Sequence, residues 1–91
     1  MAMIAAWLKI DEELVVPALR EAAEKLDSAE GEIVLDFSSV RRIDPSALKA
    51  IEDLASKADD KSVRVVLRGV RIDVYKVLKL VRLAPRFSFV S

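Results

Sequence analysis

The sequence predicts an α/β domain, a small mixed β-sheet with about three main helices in the order β-α-β-α-β-α-β. Three observations lead there. Apolar residues recur at helical spacing in three separate stretches. Short runs rich in Val, Ile and Leu alternate with those stretches, and strands that alternate with helices argue a layered sheet covered by crossover helices. The chain has 91 residues, enough for one hydrophobic core and one domain over 1–91.

The elements follow in order. Ala2 to Ile10 is apolar, ends before Asp11-Glu12-Glu13, and reads as a first strand; Trp7 reads as a core residue, with an exposed anchor as the alternative. A helix is expected over 17–28, because Pro17 suits a first helical position and Leu19, Ala22, Ala23 and Leu26 fall on one face. Glu32 to Phe37 is a second strand. Its consecutive Ile33, Val34 and Leu35 suit a strand covered on both faces. A second helix is expected over 45–58, with Asp44 as N-cap, Pro45 first, and Leu48, Ile51 and Leu54 in its apolar stripe. Val63 to Leu67 is a third strand. A third helix spans about 72–82, with Val74, Val77, Leu78 and Val81 turned inward, and Phe87 to Val90 closes the sheet.

Composition narrows the chemistry. Apolar residues make up 53% of the chain, which favours a packed core over disorder. There is no Cys and no His, which removes thiol chemistry, disulfides, the common zinc ligand sets and imidazole acid–base catalysis. No metal or cofactor is expected. The lack of Cys fits a cytoplasmic protein, and the longest apolar run, Met1 to Leu8, is too short to cross a bilayer.

Net charge is zero but segregated: residues 1–60 carry seven basic and fourteen acidic side chains, and residues 61–91 carry eight and one. Either the two halves attract each other in the fold, or a basic face near the third helix meets an acidic partner. The basic set Arg68, Arg71, Lys76, Lys79, Arg82 and Arg86 has only Tyr75 and Phe87 as aromatic neighbours, thin support for nucleic acid. Anionic lipid is no better supported, because the third helix needs its apolar stripe for the core.

The segment Asp44-Pro45-Ser46 is the most specific chemical feature. It places a hydroxyl at a helix N-terminus, where added negative charge is tolerated. Read on residues alone, Asp44 caps, Pro45 starts the helix and Ser46 is a small first-turn residue. Asp36 reads as a hydrogen-bond acceptor at a strand end rather than a catalyst.

The run Ile33-Val34-Leu35-Asp36-Phe37-Ser38-Ser39-Val40, followed by Ile43-Asp44-Pro45-Ser46-Ala47-Leu48, resembles the STAS domain, a family that includes bacterial anti-sigma factor antagonists. Val16 to Ala22, Val65 to Val70 and Val74 to Leu83 resemble its first helix, next strand and last helix, so the likeness spans roughly residues 8–90. Pro45 stands where that family commonly has Ser or Thr, Ala47 where Gly is usual, and the segment before the first helix is short.

The resemblance implies a non-catalytic, protein-binding module. By position, Ser46 is the phosphoacceptor and Asp44 the acidic neighbour that shapes its loop. Asp36, Arg42 and Lys49 complete the expected contact set. The implied partner is a kinase-type anti-sigma factor that binds the unphosphorylated form. The alternative is a STAS subunit seated on the ATPase of a bacterial ABC lipid-transport system, which the Tyr75 region and compact size also suit. Neither reading fixes an oligomeric state.

Overall fold

The computed structural model describes residues 4–28 and 31–90. Four strands, β1 (Ile4–Lys9), β2 (Glu32–Asp36), β3 (Arg64–Arg68) and β4 (Ser88–Val90), alternate with three helices, α1 (Val15–Lys25), α2 (Pro45–Lys61) and α3 (Ile72–Leu80). The expected order and element count are present. Residues 2 and 3 of the expected first strand lie outside the described residues.

The described strands form one sheet in the order β1-β2-β3-β4, and all three pairings are parallel rather than mixed. The cause is in the connections. Each successive pair is joined through a helix, and a helical crossover returns the chain to the same end of the sheet. Right-handed crossovers that always step in the same direction place every helix on one face. The core bears this out: Leu19, Ile51, Leu54, Val74 and Leu78, from all three helices, share one buried cluster with Ile33, Leu35, Val65 and Leu67.

The register defines two faces. Leu8, Leu35, Leu67 and Phe89 align across the four strands beneath the helices. Trp7, Val34, Val66 and Ser88 align on the opposite side, which no described helix covers. Trp7 is therefore not a core residue as the sequence suggested; it is 52% exposed. Val34 and Val66 are buried on that helix-free side, so the unbroken apolar run of β2 does mark burial on both faces, although helices supply only one.

Boundaries shift for local reasons. Asp11 accepts a hydrogen bond from Glu13 N (2.9 Å) and caps a single 3₁₀ turn, Glu12–Leu14, that runs directly into α1. Pro17 thus sits in the third position of α1, where its missing N–H has no intrahelical partner to lose. Helix α2 runs to Lys61 and ends on Ser62 in the left-handed conformation (φ 56°). In α3 only Val74 and Leu78 are buried; Val81, expected to face inward, lies just past the helix and is 46% exposed.

At the exit of β3, Gly69 has φ 68°, and a Cβ there would approach Ser38 Cβ to 3.0 Å. Its N–H donates to Val90 O (3.0 Å), while Phe37 N donates to Arg68 O (2.8 Å). The close approach holds the β2–α2 loop against the end of β3. Gly69→Ala is expected to lower the unfolding free energy by about 1–2 kcal/mol from backbone strain alone, with any displacement of Ser38 adding to it. Urea unfolding of the two proteins checks this, and an equal midpoint would contradict it.

Candidate functional site

Parallel strands with crossovers on one face bring the N-termini of all three helices to the same edge of the sheet, beyond the carboxyl ends of the strands. The loop from β2 to α2 occupies the middle of that edge. It begins at Asp36, the one charged residue that is buried among the described residues. Asp36 Oδ1 accepts from Ser38 N (2.9 Å), which bends the chain into the turn closed by Val40 N donating to Phe37 O (2.9 Å). The backbone N–H and hydroxyl of Ser38, with Arg68 and Lys9 behind them, hold the Asp36 carboxyl below the ordinary carboxylate range. Arg68 reaches its other oxygen at 3.9 Å.

The same loop ends at Asp44, the N-cap of α2, whose Oδ1 accepts from Ala47 N (2.7 Å). This cap limits what the helix end can offer an anion. Pro45 contributes no N–H and the Ala47 N–H is taken, which leaves the Ser46 N–H in the first turn. The positive end of α2 already faces the Asp44 carboxylate. A phosphate on Ser46 would therefore stand beside a negative charge, and cations elsewhere would have to meet it.

Ser46 is exposed and lines a groove of about 430 Å³ between α1 and α2. Val16, Ala23 and Ala50 give the groove apolar walls, and Arg20, Lys49 and Asp53 stand among its polar residues. Lys49 is one turn from Ser46 and pairs with Asp53 (3.1 Å), which holds its ammonium pKa above the ordinary value. The structure thus brings Ser46 and Lys49 together in one groove. Arg42 and Asp44 lie in a neighbouring hollow against Glu12, Glu13 and Pro17 at the start of α1. Asp36 lines neither of these hollows. Arg20 was legible only as an outward residue of the first helix; nothing in its spacing links it to Ser46, because the groove exists only once α1 and α2 pack.

A second, polar cleft of about 430 Å³ lies at the carboxyl ends of the strands, with Lys9, Glu12, Ser38, Ser39, Arg41 and Arg71 in its lining. Much of its polar capacity is used internally: Arg71 Nε donates to Ser38 O (3.2 Å) and Arg41 N to Glu12 Oε1 (3.1 Å). A sheet whose order never reverses also lacks the switch point at which open α/β sheets commonly bind small ligands. No group of three potential metal ligands occurs among the described residues. Nor, among them, is any helix long and apolar enough to cross a membrane.

These features define a small single-sided α/β domain that presents a loop and an interhelical groove along one edge. The chain belongs to the STAS-domain family: the family profile described as "Mlab, STAS domain" matches residues 8–86. A crystal structure from Thermotoga maritima, of a protein provisionally described as an anti-sigma factor antagonist, superposes with a TM-score of 0.70. The match covers 96% of this chain and 74% of that one, at 22% sequence identity, and so attests the shared fold. A comparison with curated proteins gives no match.

Asp36 links the fold to pH. Its pKa is depressed in the folded state, so its contribution is complete above its unfolded value, near 3.9, and is lost as pH falls through the folded value. Asp36→Asn keeps an acceptor for Ser38 N but removes the charge. We expect it to cost about 1 kcal/mol at neutral pH, with the gap to the wild type closing as pH falls below about 4. Thermal or urea unfolding across that range measures it, and a gap that stays constant with pH would contradict the assignment.

Proposed function

We propose that this STAS domain is a non-catalytic regulatory module of the bacterial cytoplasm, which docks a protein partner at the α1–α2 groove and is switched by phosphorylation of Ser46. The observation that carries the reading is the placement of Ser46: exposed, in the first turn of α2, on the lip of a groove with apolar walls. Lys49 stands with it in the groove, Arg42 lies in the neighbouring hollow, and Asp44 fixes the backbone that presents it. The partner in this reading is a kinase-type anti-sigma factor. A phosphate adds about −1.5 to −2 charges, and desolvating that charge against an apolar contact opposes docking without disturbing the core.

A second reading has one observation in its favour, the "Mlab" description of the matching family profile. In it the domain is a constitutive subunit on the ATPase of a bacterial ABC lipid-transport system, contacted through the same groove, and Ser46 is an ordinary interface residue.

Ser46→Asp separates the two. In the switched module it weakens partner binding by about tenfold or more, while Ser46→Ala binds as the wild type does. Fold stability changes by less than about 1 kcal/mol in both, because the side chain is exposed. Calorimetric titration against a kinase-type anti-sigma factor and an ABC-transporter ATPase of the same organism is the measurement. Unchanged affinity for Ser46→Asp would remove the switch and leave the constitutive subunit. Separately, Lys49→Ala is expected to speed dissociation more than it slows association if the groove is the interface core; stopped-flow kinetics distinguish the two effects.

A further inference from the structure

We infer that the outward face of α3 is a second docking surface, and that its occupant is an acidic amphipathic helix of a protein partner. The helix is more apolar than its packing requires. Val74 and Leu78 fill the core, yet Ile72 is 69% exposed and Leu80 is 82% exposed. Helical geometry puts Ile72, Lys76, Lys79 and Leu80 on one outward stripe, at i, i+4, i+7 and i+8. Two exposed apolar side chains thus stand about 12 Å apart with two ammonium groups between them. A hollow bounded by Lys76, Lys79, Leu80 and Arg82 adjoins the stripe.

Charge selects the occupant. The segregated charges of the chain are partly used within the fold. Lys61 pairs with Asp27 (3.6 Å), Arg68 with Asp36 (3.9 Å), and Arg86 with Asp59, each joining the basic C-terminal part to the acidic remainder. Lys76, Lys79 and Arg82 enter none of the ion pairs among the described residues. Arg64 and Arg71 are likewise outside those pairs, but Lys76 and Lys79 are the ones that share the outward stripe with Ile72 and Leu80, and Arg82 adjoins Leu80 in the hollow at its end. Carboxylates for the lysines and apolar side chains one or two turns apart for Ile72 and Leu80 describe an acidic amphipathic helix.

An anionic membrane fits less well, because the stripe offers only two apolar side chains with lysine between them, not a continuous apolar face. A second copy of the chain fits less well, because α3 carries a single acidic side chain, Asp73, so two α3 faces would set lysine against lysine, and a contact with other elements would be head-to-tail rather than self-complementary. The stripe shares no residue with the lining of the α1–α2 groove, so the inference does not rest on the role of Ser46.

The test is selection from random phage-displayed peptides, about 16 residues long and hence about four helical turns. The wild-type domain is the bait, and the Ile72→Ser/Leu80→Ser variant is the counter-selection. Both positions are exposed, and far-UV circular dichroism confirms that the variant is folded. Enriched peptides are expected to carry Asp or Glu with apolar residues three or four apart. They should bind the double variant about tenfold more weakly or worse by calorimetry. Lys76→Glu/Lys79→Glu should also weaken binding, less so at high salt. Failure to enrich peptides, enrichment of neutral or basic ones, or equal affinity for the double variant would overturn the proposal. So would Ile72/Leu80-dependent binding to phosphatidylglycerol vesicles, or Ile72/Leu80-dependent self-association in sedimentation equilibrium, if either occurs without peptide binding.

Discussion

The row Leu8–Leu35–Leu67–Phe89 runs in register through all four strands, and it has to be covered. Leu35 and Leu67 in this row are essentially inaccessible, and each such side chain contributes about 1.5–3 kcal/mol when withdrawn from water. A sheet of four parallel strands gains this only if its three crossovers lie on the face that carries the row. That requirement sets the handed, one-directional path of the chain. It also places the start of every helix, and with them the β2–α2 loop, along a single edge. The position of Ser46 is a consequence of covering the leucine row.

The loop itself is held by small polar devices at both ends. Asp36 turns the chain out of β2 by accepting from Ser38, and Asp44 receives it into α2 by accepting from Ala47. Gly69 lets β3 pass close enough to Ser38 for the two strand exits to support each other. Each device satisfies a backbone donor near the surface, so little freedom remains in how Ser46 is presented. The cost is that Asp44 occupies the positive end of α2. Any anion at Ser46 must find its compensation in Lys49 or across the groove, which is a different electrostatic situation from an open helix terminus.

The charge distribution divides in the same structural terms. Attraction between the acidic and basic parts is converted into ion pairs at Asp36, Asp27 and Asp59. On the outer side of α3 no element of the described residues is packed, and Lys76 and Lys79 are exposed alongside Ile72 and Leu80. Attraction within the fold is thus realised in these pairs, and α3 keeps an exposed basic face.

Periodicity and turn chemistry in the sequence determined the elements by themselves. The spacing of Leu48, Ile51 and Leu54 and the Asp44-Pro45 start are local facts, and local hydrogen bonding and helix geometry obey them. Family resemblance in the β2–α2 segment was legible for the same reason, since a strand, a loop and a cap lie contiguously in the chain. What the sequence could not decide was everything that depends on which face of the sheet the helices take. Trp7 looked like a core residue because its run is apolar, but the register with Val34 and Val66 turns it to the uncovered side. Val81 fell on the expected stripe, yet the helix ends before it, at Leu80. Arg20 joins Ser46 only through the packing of α1 on α2, a contact between residues far apart in the chain. Periodicity specifies a face within an element; only the tertiary structure decides what that face meets.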